Sequence, residues 1–157
     1  DSHSTYQPKF LDINGDGKND MIVGEGHNYG LAWWEQGADA SGKMTWAIHE
    51  IETKRSQFHD MSFADLNKDG VPELITGKRW RAHSGGDPGA NDPVGLYYYE
   101  LNGGDFVRHT LDYGPADRTS GTGIYLWTED IDGNGWVDIL APGKEGMYLF
   151  KNLGPKK

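Results

Sequence analysis

Asp12, Asn14 and Asp16 stand at alternate positions of the stretch DINGDGKNDMIVG (residues 12–24), with Gly17 sixth and Asp20 ninth. Oxygen side chains spaced this way on a tight turn converge on one point. Six to eight such oxygens at ~2.3–2.6 Å are what Ca²⁺ requires. The pattern returns twice, in DLNKDGVPELITG (65–77) and DIDGNGWVDILAPG (130–143). In the first loop the expected ligands are Asp12, Asn14, Asp16 and Asp20, with the carbonyl of Lys18. In the second they are Asp65, Asn67, Asp69 and Glu73, with the carbonyl of Val71. In the third they are Asp130, Asp132, Asn134 and Asp138, with the carbonyl of Trp136.

A helical calcium hand would need a bidentate Glu at position 12. Val23, Thr76 and Ala141 hold that position here, each inside an apolar β-like run, so that reading fails. Turn chemistry without an ion needs only one Asn or Asp per turn, and a full ligand set repeated three times asks for more. Three Ca²⁺ sites are therefore expected, with Mg²⁺ as the alternative. Their regular recurrence suits ions that hold structure rather than perform chemistry.

The repeat extends beyond the loops. GLAWWEQ (30–36), GLYYYEL (95–101) and GMYLFKN (146–152) follow as aromatic strands, and WAIHEI (46–51) matches FVRHTL (106–111). The unit reads strand, acidic loop, strand, connection, aromatic strand, turn, strand. Four short strands in about 50 residues make one β-propeller blade. The sequence thus predicts an all-β single domain over 1–157, with blades at about 6–51, 59–111 and 123–152. The last blade lacks its outer strand. Known propellers use roughly four to eight blades, so a partial propeller, or a ring completed by oligomerisation with a dimer preferred, is expected.

The loops, the runs ELITG and DILAPG, and the strand GMYLF resemble the FG-GAP/VCBS repeats of calcium-binding β-propellers. More narrowly, GHNYGLAWWEQ, SQFHDMSFADLNKDG and TGKRWRAHSGGDPGANDPVGLYYYEL are similar to a bacterial VCBS group related to the propeller of aldos-2-ulose dehydratase. The resemblance implies a seven-bladed parent fold, usually secreted and so extracellular or periplasmic. Sugar-handling enzymes and plain scaffolds both occur in it.

The repeat register sorts the histidines. His49 and His109 are equivalent and read as structural, and His3 lies in the tail. His27, His59 and His83 have no counterparts, and singular residues on a repeated frame are where function is grafted. Topology puts His27, Asn28 and Tyr29, then Lys78, Arg79, Arg81 and His83, then His59 and Arg118, on the rim opposite the acidic loops. That face could bind a glycan or a protein, or hold Zn²⁺. It could also place His or Tyr as a base, with Arg or Lys on a sugar carboxylate, as a carbon–oxygen lyase requires. The catalytic candidates are then His27, His59, Arg79 and His83. The 12 residues inserted around RWRAHSGGDPGANDP (79–93) read either as part of that face or as a plain surface loop. Scaffolding or recognition is favoured over catalysis, because a propeller active site draws on loops around the whole ring.

The bulk properties exclude several classes. Fifteen basic against 24 acidic residues give a formal charge of −9, which disfavours nucleic acid. No long apolar run offers a membrane span. Cysteine is absent, so disulfides and thiolate metal sites are out.

Overall fold

The computed structural model describes residues 8–155. His3, and the start of the first blade at Tyr6, fall outside the described residues. Three antiparallel sheets follow one another along the chain. The first contains β1 (Lys9–Leu11), β2 (Asp20–Gly24), β3 (Tyr29–Ala38) and β4 (Met44–Ser56). The second contains β5 (Phe58–Ala64), β6 (Glu73–Lys78), β7 (Val94–Asn102) and β8 (Asp105–Gly114). The third has only β9 (Trp127–Glu129), β10 (Asp138–Gly143) and β11 (Gly146–Phe150). Among the described residues the one departure from strand and turn is a short 3-10 segment, Ala82–Gly85. The architecture is that of partial β-propeller blades of four, four and three strands, as the repeat predicts.

Burial follows the strand period of two. Leu74, Tyr97 and Tyr99 of the second blade pack with Ile22, Leu31 and Trp33 of the first. Their sequence neighbours Ile75, Leu96 and Tyr98 point the other way, against Ile139, Ala141 and Phe150 of the third. Covered on both faces, the second blade buries every residue of β6. The outer blades each leave one face open. On the third, Trp127, Met147 and Leu149 are 61%, 73% and 43% exposed; on the first, Phe10 and Ile48 are 58% and 55% exposed.

Glycines set how closely the blades approach. A Cβ on Gly24 would fall 2.6 Å from the Phe58 carbonyl oxygen. At its repeat equivalent, Gly77, a Cβ would fall 2.3 Å from the Gly95 carbonyl oxygen and 2.9 Å from Thr122 Cγ2. The Gly77 carbonyl also accepts a 2.7 Å hydrogen bond from Thr122 Oγ1, which ties the second blade to the approach of the third. Gly77→Ala should therefore destabilise the fold by about 1–3 kcal/mol through overpacking. The urea midpoint would drop at unchanged slope, and an unchanged midpoint would mean that the blades do not meet this tightly.

Candidate functional site

The three acidic loops fold alike because their side chains bind their own backbone. The first-position aspartates Asp12, Asp65 and Asp130 accept the N–H of Gly17, Gly70 and Gly135 at 2.9, 3.0 and 2.8 Å. The fifth-position side chains Asp16, Asp69 and Asn134 accept the N–H of Lys18, Val71 and Trp136 at 2.9, 2.8 and 2.7 Å. Gly17, Gly70 and Gly135 all have positive φ, where a side chain would be strained. The ninth-position carboxylates are buried, and each accepts the N–H of the loop's second residue. Asp20 binds Ile13 at 3.1 Å, Glu73 binds Leu66 at 2.6 Å, and Asp138 binds Ile131 at 3.1 Å.

These bonds leave lone pairs, since a carboxylate offers about four acceptor positions. Asp130, Asp132 and Asp138 bring one oxygen each within 4.8 Å of one another, a spacing that suits a shared cation. Burial, then the nearby charges of Asp69 and Asp65, push the Glu73 carboxyl above its ordinary value despite two backbone hydrogen bonds. The sites differ in detail. The Lys18 ammonium pairs with Asp16 and lowers the pKa of that carboxyl. The Asn67 amide donates to Asp69 and Glu73, and Lys68 covers the Trp136 ring at 4.3 Å.

The opposite rim has no such regularity. His27 sits in the β2–β3 turn of the first blade, whereas His83 belongs to the insertion between β6 and β7 of the second. The fold stacks the two rings, with centroids 4.5 Å apart and planes 5° from parallel. Asp87 joins them: one oxygen lies 2.9 Å from His27 Nδ1 and the other 3.1 Å from His83 Nδ1. The hydrogen bond with His27, followed by that with His83, holds the Asp87 carboxyl below its ordinary value. His59, at the start of β5, meets His27 edge-on at 6.1 Å. Two imidazoles and a carboxylate within 4.8 Å are also a donor set suited to Zn²⁺, which takes nitrogen and oxygen ligands.

The insertion is built rather than loose. Ala82 and Ala90 are buried. Gln57 Nε2 donates to the Pro88 carbonyl at 3.0 Å, and Tyr29 OH donates to Asp92 at 2.6 Å. Arg81, His83 and Ser84 all hold left-handed backbone angles, each costing about 1–3 kcal/mol. Such strain persists only where the surroundings over-determine it. Lys78 supports this arrangement from beneath. It is 2% exposed, and its ammonium lies 3.3 Å from the Arg79 carbonyl oxygen and 3.5 Å from that of Ala90. Burial lowers its pKa to about 8.

The expected residues therefore separate. His27, His59 and His83 converge, and Tyr29 is tied to the insertion. Asn28 contributes its carbonyl to Gln57 N–H at 2.8 Å. Lys78 lies below the surface, and Arg118 is exposed in a turn closed by its N–H to the Pro115 carbonyl. Asp87 was not anticipated, because Gly-Asp-Pro reads as turn chemistry. His49 and His109 play one repeated part, stacking on Trp33 at 4.4 Å and Tyr98 at 4.6 Å.

Burial first, then the charge of Arg79 and of the other two histidines, lowers the His59 pKa from 6.5 to about 4. His59 is thus a neutral imidazole at physiological pH.

Residues 12–76, the first acidic loop through the second, match the family model of the FG-GAP-like repeat. No curated protein matches the chain.

The His59 shift has a stability consequence. The unfolded imidazole takes up a proton near pH 6.5 and the folded one only near 4, so the stabilisation is complete above 6.5 and declines as pH falls toward 4. The loss should reach roughly 2–3 kcal/mol. Denaturant titrations of the wild type and His59→Gln between pH 7 and 4 check this, the variant being expected to show a flatter profile over that window.

Proposed function

We propose that the chain is a calcium-stapled β-propeller segment that serves as a recognition scaffold, its ligand being a glycan or protein bound on the rim built around His27, His83 and Asp87. The observation that carries the reading is the meeting of residues from two blades at a place where the repeat is broken. The acidic loops, by contrast, recur in every blade and hold each sheet at its other end. The resemblance to secreted VCBS propellers favours an extracellular or periplasmic setting.

The open faces bear on partners. Leu149 is the repeat counterpart of Trp33, which is buried against the second blade, yet it is 43% exposed. A further blade belongs there, supplied by a longer polypeptide or by a second copy of this chain, which would give a two-fold six-bladed ring.

A second reading has one specific support. A neutral, buried His59 beside the charge of Arg79 is the pairing that proton abstraction next to a sugar carboxylate needs. A sugar lyase or dehydratase related to the aldos-2-ulose dehydratase propeller would use it so.

Calcium should raise the melting temperature, each ion adding about 2.7 kcal/mol at a hundredfold excess over its dissociation constant. Excess chelator should reverse the gain, and an unchanged melting temperature would refute the calcium assignment. Light scattering in the same calcium buffer should give a mass well above 17.5 kDa if copies complete one another.

The recognition reading is tested on a glycan array. Binding by the wild type and its loss in His83→Gln, with an unaltered circular dichroism spectrum, is the expected result. Equal signals for the two proteins would place recognition elsewhere.

A further inference from the structure

Beside the histidines, where the second and third blades meet, a cavity of about 330 Å³ opens on the rim. Its charged walls are Arg79, directly after β6, and Lys144, in the two-residue turn joining β10 to β11. Ile124, Tyr125 and Pro142 form the rest, with Tyr125 57% and Ile124 46% exposed. No acidic residue lines it, although acidic side chains outnumber basic ones 24 to 15 in the chain.

The local fold produces this separation of charge. Glu145 follows Lys144 in the turn, but it is folded inward, where Oε1 accepts the Gly121 N–H at 2.9 Å. Lys144 remains exposed and is steadied by donating to the Arg81 carbonyl at 3.1 Å. That bond links the third blade to the insertion carrying His83. Lys144 also walls two shallower concavities, both with Trp80. The cavity thus combines two cations, an aromatic ring and aliphatic surface.

The geometry points to a subsite for a carboxylated sugar, a hexuronate unit whose carboxylate lies between Arg79 and Lys144 while its ring packs on Tyr125 and Ile124. The volume is at the lower end of small-ligand pockets, about 300–1,000 Å³, and suits a single sugar unit. A neutral sugar would leave both cations without a use. A bare inorganic anion would leave the aromatic wall without one. Arg offers a planar donor fork to a carboxylate and Lys a mobile point charge, so the pair can close on one anionic group from two sides. The inference rests on the rim being the recognition face and names the chemistry it selects.

Calorimetry or NMR titration in calcium buffer should compare three probes: a tri-glucuronate, its carboxyl-reduced neutral counterpart, and a sulfated trisaccharide. The tri-glucuronate is expected to bind about tenfold or more tightly than the neutral form, and to weaken with added salt. Lys144→Gln should lose about as much, with Lys144→Arg restoring most of it. Tyr125→Ala should weaken binding without changing its salt dependence.

Equal binding of the charged and neutral probes overturns the proposal, as does an unaffected Lys144→Gln. Preference for the sulfated probe overturns the carboxylate assignment. If no probe binds while the glycan array still shows a ligand sensitive to His83→Gln, the subsite fails and the recognition reading survives. If that ligand is also missing, both fail.

Discussion

A buried carboxylate at the ninth position of each acidic loop is the constraint on which the rest of this structure depends. Asp20 and Asp138 each accept two backbone N–H bonds, one from their own loop and one from the end of the third strand, at Gln36 and Asn152. A buried charge is tolerable only when such bonds satisfy it. Satisfying it fixes three things together: the path of the loop, the start of the second strand and the far end of the third. Glu73, one methylene longer, reaches Leu66 N–H and the Asn67 side chain instead, with the same effect on its loop.

That arrangement makes one rim of the molecule repetitive and conservative in form. With each loop tied to its own blade, the blades can stack through faces of alternating side chains, and glycines such as Gly24 and Gly77 let them approach. The opposite rim is free of this requirement. Its turns need only join strands, so it can hold the insertion, three strained residues and a stacked histidine pair on Asp87. Structural regularity at one end is what permits irregularity at the other, because the sheets transmit position rigidly between them.

The electrostatics divide in the same way. The acidic loops concentrate carboxylates at one rim of a chain of net charge −9. The other rim gathers Arg79, Arg81, Lys144 and the histidines. There the inward fold of Glu145 and the pairing of Asp87 with two imidazoles keep acidic groups from cancelling the exposed cations. An anionic ligand approaching this protein would meet a favourable field on one side only.

The repeat was fully legible in the sequence. Blade order, strand order within each blade, the loops as hairpin turns and the missing outer strand of the third blade all follow from spacing and period. Such features are local: an Asx-Gly turn and an alternating run carry their conformation within a dozen residues. Which of His27, His59 and His83 would meet was only half legible, since topology put them on one rim without a distance. Their common partner Asp87, the buried setting of Lys78, and the cavity of Arg79, Lys144 and Tyr125 were not legible at all. Residues 60 or more apart in sequence are brought together there by blade stacking and by the docking of a single insertion. Short-range pattern therefore determined the architecture of this protein. Its candidate chemistry was decided by contacts between blades, because the repeat signal is silent wherever the repeat is broken.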